Sequence, residues 1–391
     1  MLSSLTSLAA PQRQRVTQPP ALVQQPQQDA GAAAVRLCVV TMGRDEHSKL
    51  NAFVSHYLRE GAERVLVLDD RSEPPMGLAP RHAYDTRVEL RRVNASLTLE
   101  ELEAAHWQGC QQDDEPPNYE LYRQMVEPNR AAVAFRHDGC DWLAYVDMDE
   151  FSFARRPPAP GARSLAQALA APPFAQTDVV LVPWMIYGVT ADTAAASSLS
   201  LDPHDGAVRR WFERHAPEWM TDPADPVASL VYRWDLDLPH EHPRNWSSGG
   251  GTSRKALVRL TSTHYRDICR GPHKPNVAEG ARCVSGVDGA TRRCDNPSLG
   301  LGPGGELPDE AAVAGAYLVQ HHYRVSSYAD VERRCAMADT VNFKYAEAHA
   351  SSEECMLNVV LSVHPEAVKL DTTLAERAAA ADDNSYGNPR M

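Results

Sequence analysis

The triplet Asp147-Met148-Asp149 sets two carboxylates two residues apart, directly after the apolar run Trp142-Leu-Ala-Tyr-Val146. Alternation along an extended chain aims residues i and i+2 to the same side, so the pair makes a fork able to grip a divalent cation. Oxygen-only ligation suits Mn²⁺ or Mg²⁺, ions that keep several waters and take further ligands from substrate phosphates. The chemistry such a fork supports is metal-assisted transfer at a phosphate or diphosphate. An isolated Asp-x-Asp is also an ordinary turn with solvated acids, because Asp favours turns. The buried strand before this one and Glu150-Phe151 after it set it apart from that common case.

A fork of this kind needs a sheet beneath it. Val35-Arg-Leu-Cys-Val-Val40 has the pattern of a strand, and Thr41-Met-Gly-Arg-Asp-Glu-His47 is a polar turn after it. Leu50, Phe53, Val54, Tyr57 and Leu58 then recur at helical spacing, with Gly61 placed to end the helix. Arg64-Val-Leu-Val-Leu68 is a second buried strand that runs into Asp69-Asp-Arg-Ser72, completing a β-α-β unit. In open α/β sheets ligands bind outside the carboxyl ends of the strands, where Arg44, Asp45, Asp70 and Asp147 are all expected to project. Neither the GxGxxG fingerprint nor the P-loop pattern GxxxxGK[ST] is present.

Further along, a helical stretch over residues 119–138 is expected to break at Pro128, which would start a new helix with Asn129-Arg130 near the anion-binding side. After Phe151 the chain is expected to be loop-like through Pro157-Pro158, with a short Ala-rich helix near Ser164 to Ala171. Strands are expected at Asp178 to Pro183, Lys255 to Leu260 and Tyr317 to Val319. Residues 189–250 are irregular in pattern, with Gly249-Gly-Gly251 as a hinge or a plain loop, and helical periodicity returns at Tyr328 to Ala338 and Glu353 to Val363. The organisation expected is a disordered Gln/Pro/Ala/Ser-rich leader over 1–34, one catalytic unit over 35–365 and a polar tail over 366–391.

Composition bounds the rest. Lys and Arg total 39 against 52 acids, a net charge of −13, which offers no field to gather nucleic acid or anionic lipid. An anionic ligand therefore needs local help from a metal or a few arginines. No apolar run approaches the roughly 18 residues of a membrane span. Met1 to Ala10 lacks a basic start and a long apolar core, so no signal peptide is expected and a cytoplasmic location is favoured over the secretory lumen. Asn94-Ala-Ser96 and Asn245-Trp-Ser247 nonetheless fit the glycosylation acceptor pattern. Of the eight cysteines, Cys38 is expected to be a small core residue. Cys269, Cys283 and Cys294, with His264 and His273 nearby, leave a disulfide or a zinc site open, although no CxxC pair exists.

The strand-end motifs also carry a resemblance. Thr41-Met-Gly-Arg-Asp-Glu46, Asp69-Asp-Arg-Ser72, Trp142 to Phe151, Val182-Pro-Trp-Met-Ile-Tyr-Gly188 and Gln320-His-His-Tyr-Arg-Val-Ser-Ser-Tyr328 occur in an order that resembles glycosyltransferase family 92 and its family 2-like relatives. The resemblance covers residues 36–340 and implies an α/β GT-A fold, a Rossmann-like single catalytic domain on a central mixed, mostly parallel sheet. It implies transfer of a sugar, often galactose, from a UDP-sugar to a glycan or other hydroxyl acceptor, with inversion and with Mn²⁺ (or Mg²⁺) at the fork. On that resemblance Asp147 and Asp149 hold the metal and diphosphate, and Asp45, Glu46 and Asp70 surround the uridine and its ribose. A late histidine completes the metal shell, with His322 the first choice and His264 the second. The relatives carry Lys where this chain has Ser326, so a phosphate-facing Lys is missing and Arg324 is its nearest replacement.

For that reaction Arg44 or Arg123 would add donors to the diphosphate, and Trp184 would either stack on a sugar face or be a buried core residue. The base that takes the acceptor proton is left among Asp192, Glu213, Asp235 and Glu241. Two rivals stand beside the transferase. One is a phosphohydrolase that uses the first Asp as nucleophile, although Phe151 stands where that class wants a small residue. The other is a non-catalytic glycan-binding protein on a degenerate transferase fold.

Overall fold

The computed structural model describes residues 35–93, 119–186, 215–216, 254–268, 276–294, 315–322 and 369–370. These residues belong to one compact unit, Ala32–Met391. The expected leader, the Gly249-Gly-Gly251 segment and the two late helices lie outside the described residues.

Chain order begins with β1 (Leu37–Gly43), α1 (His47–Arg59) and β2 (Ala62–Asp69), the β-α-β unit expected from the apolar periodicity. Gly61 ends the helix with φ +85, a left-handed conformation that glycine adopts without a Cβ penalty. A short helix α2 (Pro80–Ala83) leads to β3 (Val88–Arg92), and α3 (Tyr119–His137) precedes β4 (Trp142–Tyr145). β1 pairs in parallel with β2 on one side and β4 on the other, and β3 extends the sheet beyond β2. Alternation divides these strands between two cores. Leu37, Val39, Val65, Val67, Trp142 and Ala144 pack with α1, whereas Cys38, Val40, Leu66, Leu68, Leu143 and Tyr145 pack with α3. Burial on both faces explains why these strands read as continuous apolar runs.

Past β4 the direction reverses. β5 (Glu150–Ala154) follows at once, then α4 (Leu165–Leu169), β6 (Val179–Ile186), the two-residue β7 (His215–Ala216) and β8 (Arg254–Arg259). β8 lies antiparallel between β4 and β6. A small hairpin, β9 (Tyr265–Asp267) with β10 (Asn276–Val277), stands apart. β11 (Cys283–Ser285) joins β6 in parallel, and β12 (Thr291–Arg292) pairs with β11. β13 (Leu318–His322) runs parallel to β6 and antiparallel to β5. β14 (Lys369–Leu370) pairs with β7. The result is an α/β architecture on a mixed ten-stranded sheet.

Three expectations need correction. The loop expected after Phe151 begins only at Arg155 and runs through Pro157-Pro158: residues 150–154 are strand β5, all five buried because β13 pairs along its whole length. Pro128 does not divide a helix: α3 is continuous from Tyr119 to His137. The lost backbone donor is tolerated because Val126, Ala131, Ala132 and Phe135 bury against the sheet on both sides of the proline. Cys38 is the buried core residue expected, but it is not a thiol. It forms a disulfide with Cys140, since Cys38 pairs with Leu143 in the β1–β4 ladder and Cys140 lies just before β4. Of the alternatives left open downstream, the disulfide holds for Cys283 and Cys294, which close the β11–β12 hairpin, while Cys269 and His273 lie outside the described residues. Among the described residues no helix is long and apolar enough to cross a membrane.

Asp178, just before β6, ties the end of the sheet remote from the fork. It accepts from the Arg282 amide at 2.7 Å and the Ser262 hydroxyl at 2.5 Å, and His264 Nδ1 lies 3.2 Å away. Burial opposes ionisation, but these hydrogen bonds and His264 outweigh it and hold the carboxyl below its ordinary range. Asp178→Ala is expected to lower the unfolding free energy at pH 7 by about 1–3 kcal/mol in urea denaturation. Because the folded pKa is depressed, this contribution is full above the unfolded value of about 3.9 and fades as pH falls through the folded one. A variant with an unchanged urea midpoint and the same acid limb would remove Asp178 from this role.

Candidate functional site

β4 stops at Tyr145, so the fork stands in the turn between β4 and β5 rather than on a strand. The Glu150 amide donates to the Asp147 carbonyl at 3.0 Å, and the Glu150 carboxylate accepts the Asp147 amide at 2.8 Å. The turn is thus closed from both ends by one residue pair. Met148, between the aspartates, is buried in the core that packs on α1. Its Cε would stand 3.0 Å from a Cβ at position 43, so Gly43 at the end of β1 lets the turn approach.

Strand alternation therefore does not orient the two aspartates. Each is held by a different buried lysine. Lys255 Nζ, from the start of β8, lies 2.9 Å from Asp147 Oδ2 and 2.9 Å from Glu150 Oε2. Lys49 Nζ, from the first turn of α1, lies 2.9 Å from Glu46 Oε2 and 3.5 Å from Asp149 Oδ2. His322 Nε2 approaches Asp149 Oδ1 at 3.5 Å, because the β5–β13 register sets His322 opposite Glu150. Both lysine side chains are fully buried, and Asp149 is nearly so, whereas half of the Asp147 side-chain surface is open. Four carboxylates thus meet two ammonium groups and an imidazole.

Burial sets the electrostatics of this cluster. Desolvation pushes the Glu150 carboxyl up to about 7, with Asp147 and Asp149 adding to the rise and Lys255 and His322 opposing it. Burial pulls on Lys255 in the opposite sense, yet Asp147 and Glu150 outweigh it and leave the ammonium above its ordinary range. The Tyr145 phenol is raised well above its ordinary range, first by burial and then by Asp147 and Glu150. Its hydroxyl donates to the Gln124 carbonyl at 2.7 Å, which ties β4 to α3.

Beside this cluster the ends of β1 and β2 form a second one. The Asp70 amide donates to the Gly43 carbonyl at 2.9 Å. Arg44 clamps Asp70 through the carbonyl at 2.9 Å and through Oδ2 at 3.1 Å, and Arg71 Nε reaches Oδ1 at 3.0 Å. Asp45 and Arg71 both adopt positive φ, 56 and 65. The strain at Asp45 is stitched in place, since its amide donates to Ser72 Oγ and its carboxylate accepts the Glu73 amide, each at 2.8 Å. Glu46 sits at the N-terminus of α1 and pairs with Lys49, so it joins the two clusters.

The structure thus gathers Arg44, Asp45 and Asp70 in one cluster and Glu46, Asp149 and His322 in the other, with Asp147 in the same turn as Asp149. It does not bring His264 there. That residue follows β8, whose antiparallel course carries it from Lys255 at the fork to the other end of the sheet, where it faces Asp178. Arg123 lies on α3 and Trp184 on β6 opposite Gln320, with side chains outside the described residues. Asp192, Glu213, Asp235 and Glu241 also lie outside them, as do Arg324 and Ser326. Sequence reasoning missed Lys49, Lys255 and the structural role of Glu150. The usable sign was a lysine heading the apolar strand Lys255-Ala-Leu-Val258, and another set among the apolar positions of α1.

Asp149 and His322 give one oxygen and one nitrogen donor converging on the same space, with the half-open Asp147 in the same turn. Among the described residues no group of three or more His, Cys, Asp or Glu side chains could hold a metal by itself. The donor set fits a hard divalent ion that completes its shell with water and substrate oxygens.

The Lys255 ammonium is expected to matter for stability mainly through what its loss strands. Lys255→Met leaves Glu150 and Asp147 uncompensated and should cost about 3–5 kcal/mol in urea denaturation, whereas Lys255→Met combined with Glu150→Gln should recover most of that. Equal losses in the single and double variants would contradict the pairing.

No protein-family model matches the chain, and no curated protein matches it.

Proposed function

We propose that the chain is a metal-dependent glycosyltransferase with a GT-A fold, similar to family 92 and family 2-like enzymes, that moves a sugar from a UDP-sugar to a glycan or other hydroxyl acceptor. The observation that carries this reading is the meeting of Asp149 with His322 at the carboxyl end of β4, one strand away from the Arg44–Asp70 cluster that closes β1 and β2. An α/β sheet with acids and arginines gathered at adjacent strand ends is the arrangement by which such folds present a ligand crevice. Galactose is the sugar that the family resemblance favours, and inversion the stereochemical course.

In this proposal Mn²⁺ or Mg²⁺ would be held by Asp149 and His322, with water and substrate oxygens completing its shell, and would supply positive charge to the leaving diphosphate. The chain's own residues do the rest. Arg44 and Asp70 orient the nucleotide. Lys49 links that half of the site to Asp149, so the two halves keep a fixed spacing. The buried Met148 anchors the turn and keeps Asp147 at the opening. The acceptor base stays open among Asp192, Glu213, Asp235 and Glu241, all outside the described residues. The two disulfides among the described residues favour an oxidising compartment over the cytoplasmic location expected from the N-terminus.

A panel of UDP-sugars with and without Mn²⁺ tests the reading by thermal unfolding and UDP release. A donor at about 100 times its Kd should stabilise the fold by about 2.7 kcal/mol, and Asp149→Ala should abolish both this response and UDP release. Metal-independent glycan binding alone would instead support the non-catalytic rival, and phosphate release from monoesters the phosphohydrolase. No response to any nucleotide would sink the transferase reading.

A further inference from the structure

We propose that the Cys283–Cys294 disulfide is a redox-sensitive clamp on β13: bridged, it fixes the hairpin turn from which β13 starts, and a dithiol that opens it loosens β13 and withdraws support from His322. The clamp itself is independent of the transferase reading; its effect on activity rests on that reading. β12 is two residues long and lies at the end of the sheet, where it pairs Arg292 with Cys283 and Thr291 with Val284. So short a ladder closes a hairpin weakly. The Arg292–Asp288 ion pair at 2.9 Å adds little, because its acid is exposed and screened by solvent. The disulfide, with its cysteines 11 residues apart, is therefore a large part of what holds β12 to β11.

What the hairpin holds in turn is the start of β13. The Gly286 amide donates to the Leu181 carbonyl of β6 at 2.7 Å, while the Gly286 and Val287 carbonyls accept the Leu318 and Tyr317 amides at 2.8 and 3.2 Å. The turn thus bridges β6 and the first residues of β13. A Cβ at position 286 would meet the Leu181 carbonyl at 3.1 Å and the Leu318 side chain at 3.3 Å, so glycine lets these segments close on one another. The strand that begins here ends at His322, whose Nε2 lies 3.5 Å from Asp149 Oδ1.

The two disulfides differ in access. Cys38 and Cys140 are both wholly buried in the core that packs on α3, whereas Cys294 is partly open beside a buried Cys283. Exposed bridges are the ones that exchange readily with thiols. In the opening step a thiolate of the dithiol attacks Cys294 Sγ, the Cys283–Cys294 bond breaks, and Cys283 leaves as a thiolate that takes up a proton. The second thiol of the reductant then displaces Cys294. Two electrons and two protons pass to the bridge, and the dithiol is oxidised to its own disulfide.

The test treats the full chain with graded dithiothreitol under native conditions, traps thiols by alkylation, maps them by mass spectrometry and follows hydrogen exchange in residues 315–322. Cys283 and Cys294 are expected to become alkylated at dithiol concentrations that leave Cys38 and Cys140 bridged. Exchange in 315–322 should then rise by about 10–100-fold, with β1 and β2 unchanged. A Cys283→Ser/Cys294→Ser variant, which separates this bridge from the other cysteines, should exchange equally fast without dithiol; should it fail to fold, the reduced wild type decides alone. An opened bridge with unchanged exchange in 315–322 would overturn the proposal, as would a bridge that no dithiol opens before that of Cys38 and Cys140. UDP release, read alongside, should fall on reduction and return on reoxidation, and an unchanged release in an active enzyme would overturn the link to His322. A bridged wild type that releases no UDP would fail the transferase reading, while exchange still decides the clamp.

Discussion

Two buried lysines, one in the first turn of α1 and one near the start of β8, govern the architecture around the candidate site. A buried ammonium is tolerated when carboxylates surround it closely, and a buried carboxylate when a cation does. Lys255 and Lys49 meet this condition with Asp147, Glu150, Glu46 and Asp149. Each lysine comes from a different element, and each draws a different aspartate of the fork. The charge pattern therefore determines where the β4–β5 turn, the start of α1 and the start of β8 sit relative to one another. Glu150, pushed up to about 7 by burial, marks how tightly the cluster is balanced.

The sheet makes that constraint possible. Parallel pairing of β1 with β2 and β4 brings three strand ends to one edge, so the Arg44–Asp70 cluster and the fork become neighbours. The antiparallel β8, inserted between β4 and β6, is what returns a lysine to that edge from far along the chain. β13, paired with β5, delivers His322 opposite Glu150 in the same way. Long-range strand pairing thus assembles groups that are separated by more than a hundred residues in sequence.

The first half of the fold was legible because burial on both faces leaves continuous apolar runs. β1, α1, β2 and β4 follow from Leu37 to Tyr145 by that signal, and Gly61 ends α1 where a left-handed residue was expected. β5 was not legible, since Glu150 and Ser152 are polar and their burial depends on β13, which arrives late in the chain. The same reason hid Lys255: a lone lysine resembles a solvated strand end until Asp147 of the β4–β5 turn and Glu150 of β5 meet it. Cys38 and Cys140 likewise appeared unrelated until the β1–β4 ladder set them together. Spacing singled out Asp147 and Asp149, but the β4–β5 turn places them, and alternation played no part.

The central claim is that Asp149 and His322, with Asp147 beside them, form the cation end of a nucleotide-diphosphate site. Anomalous diffraction from a crystal grown with Mn²⁺ and UDP tests it most directly. The account predicts a manganese peak in contact with Asp149 Oδ1 and His322 Nε2, bridged to the UDP diphosphate. An ordered UDP with its manganese away from these residues, or with Lys49 and Lys255 alone facing the phosphates, would contradict it.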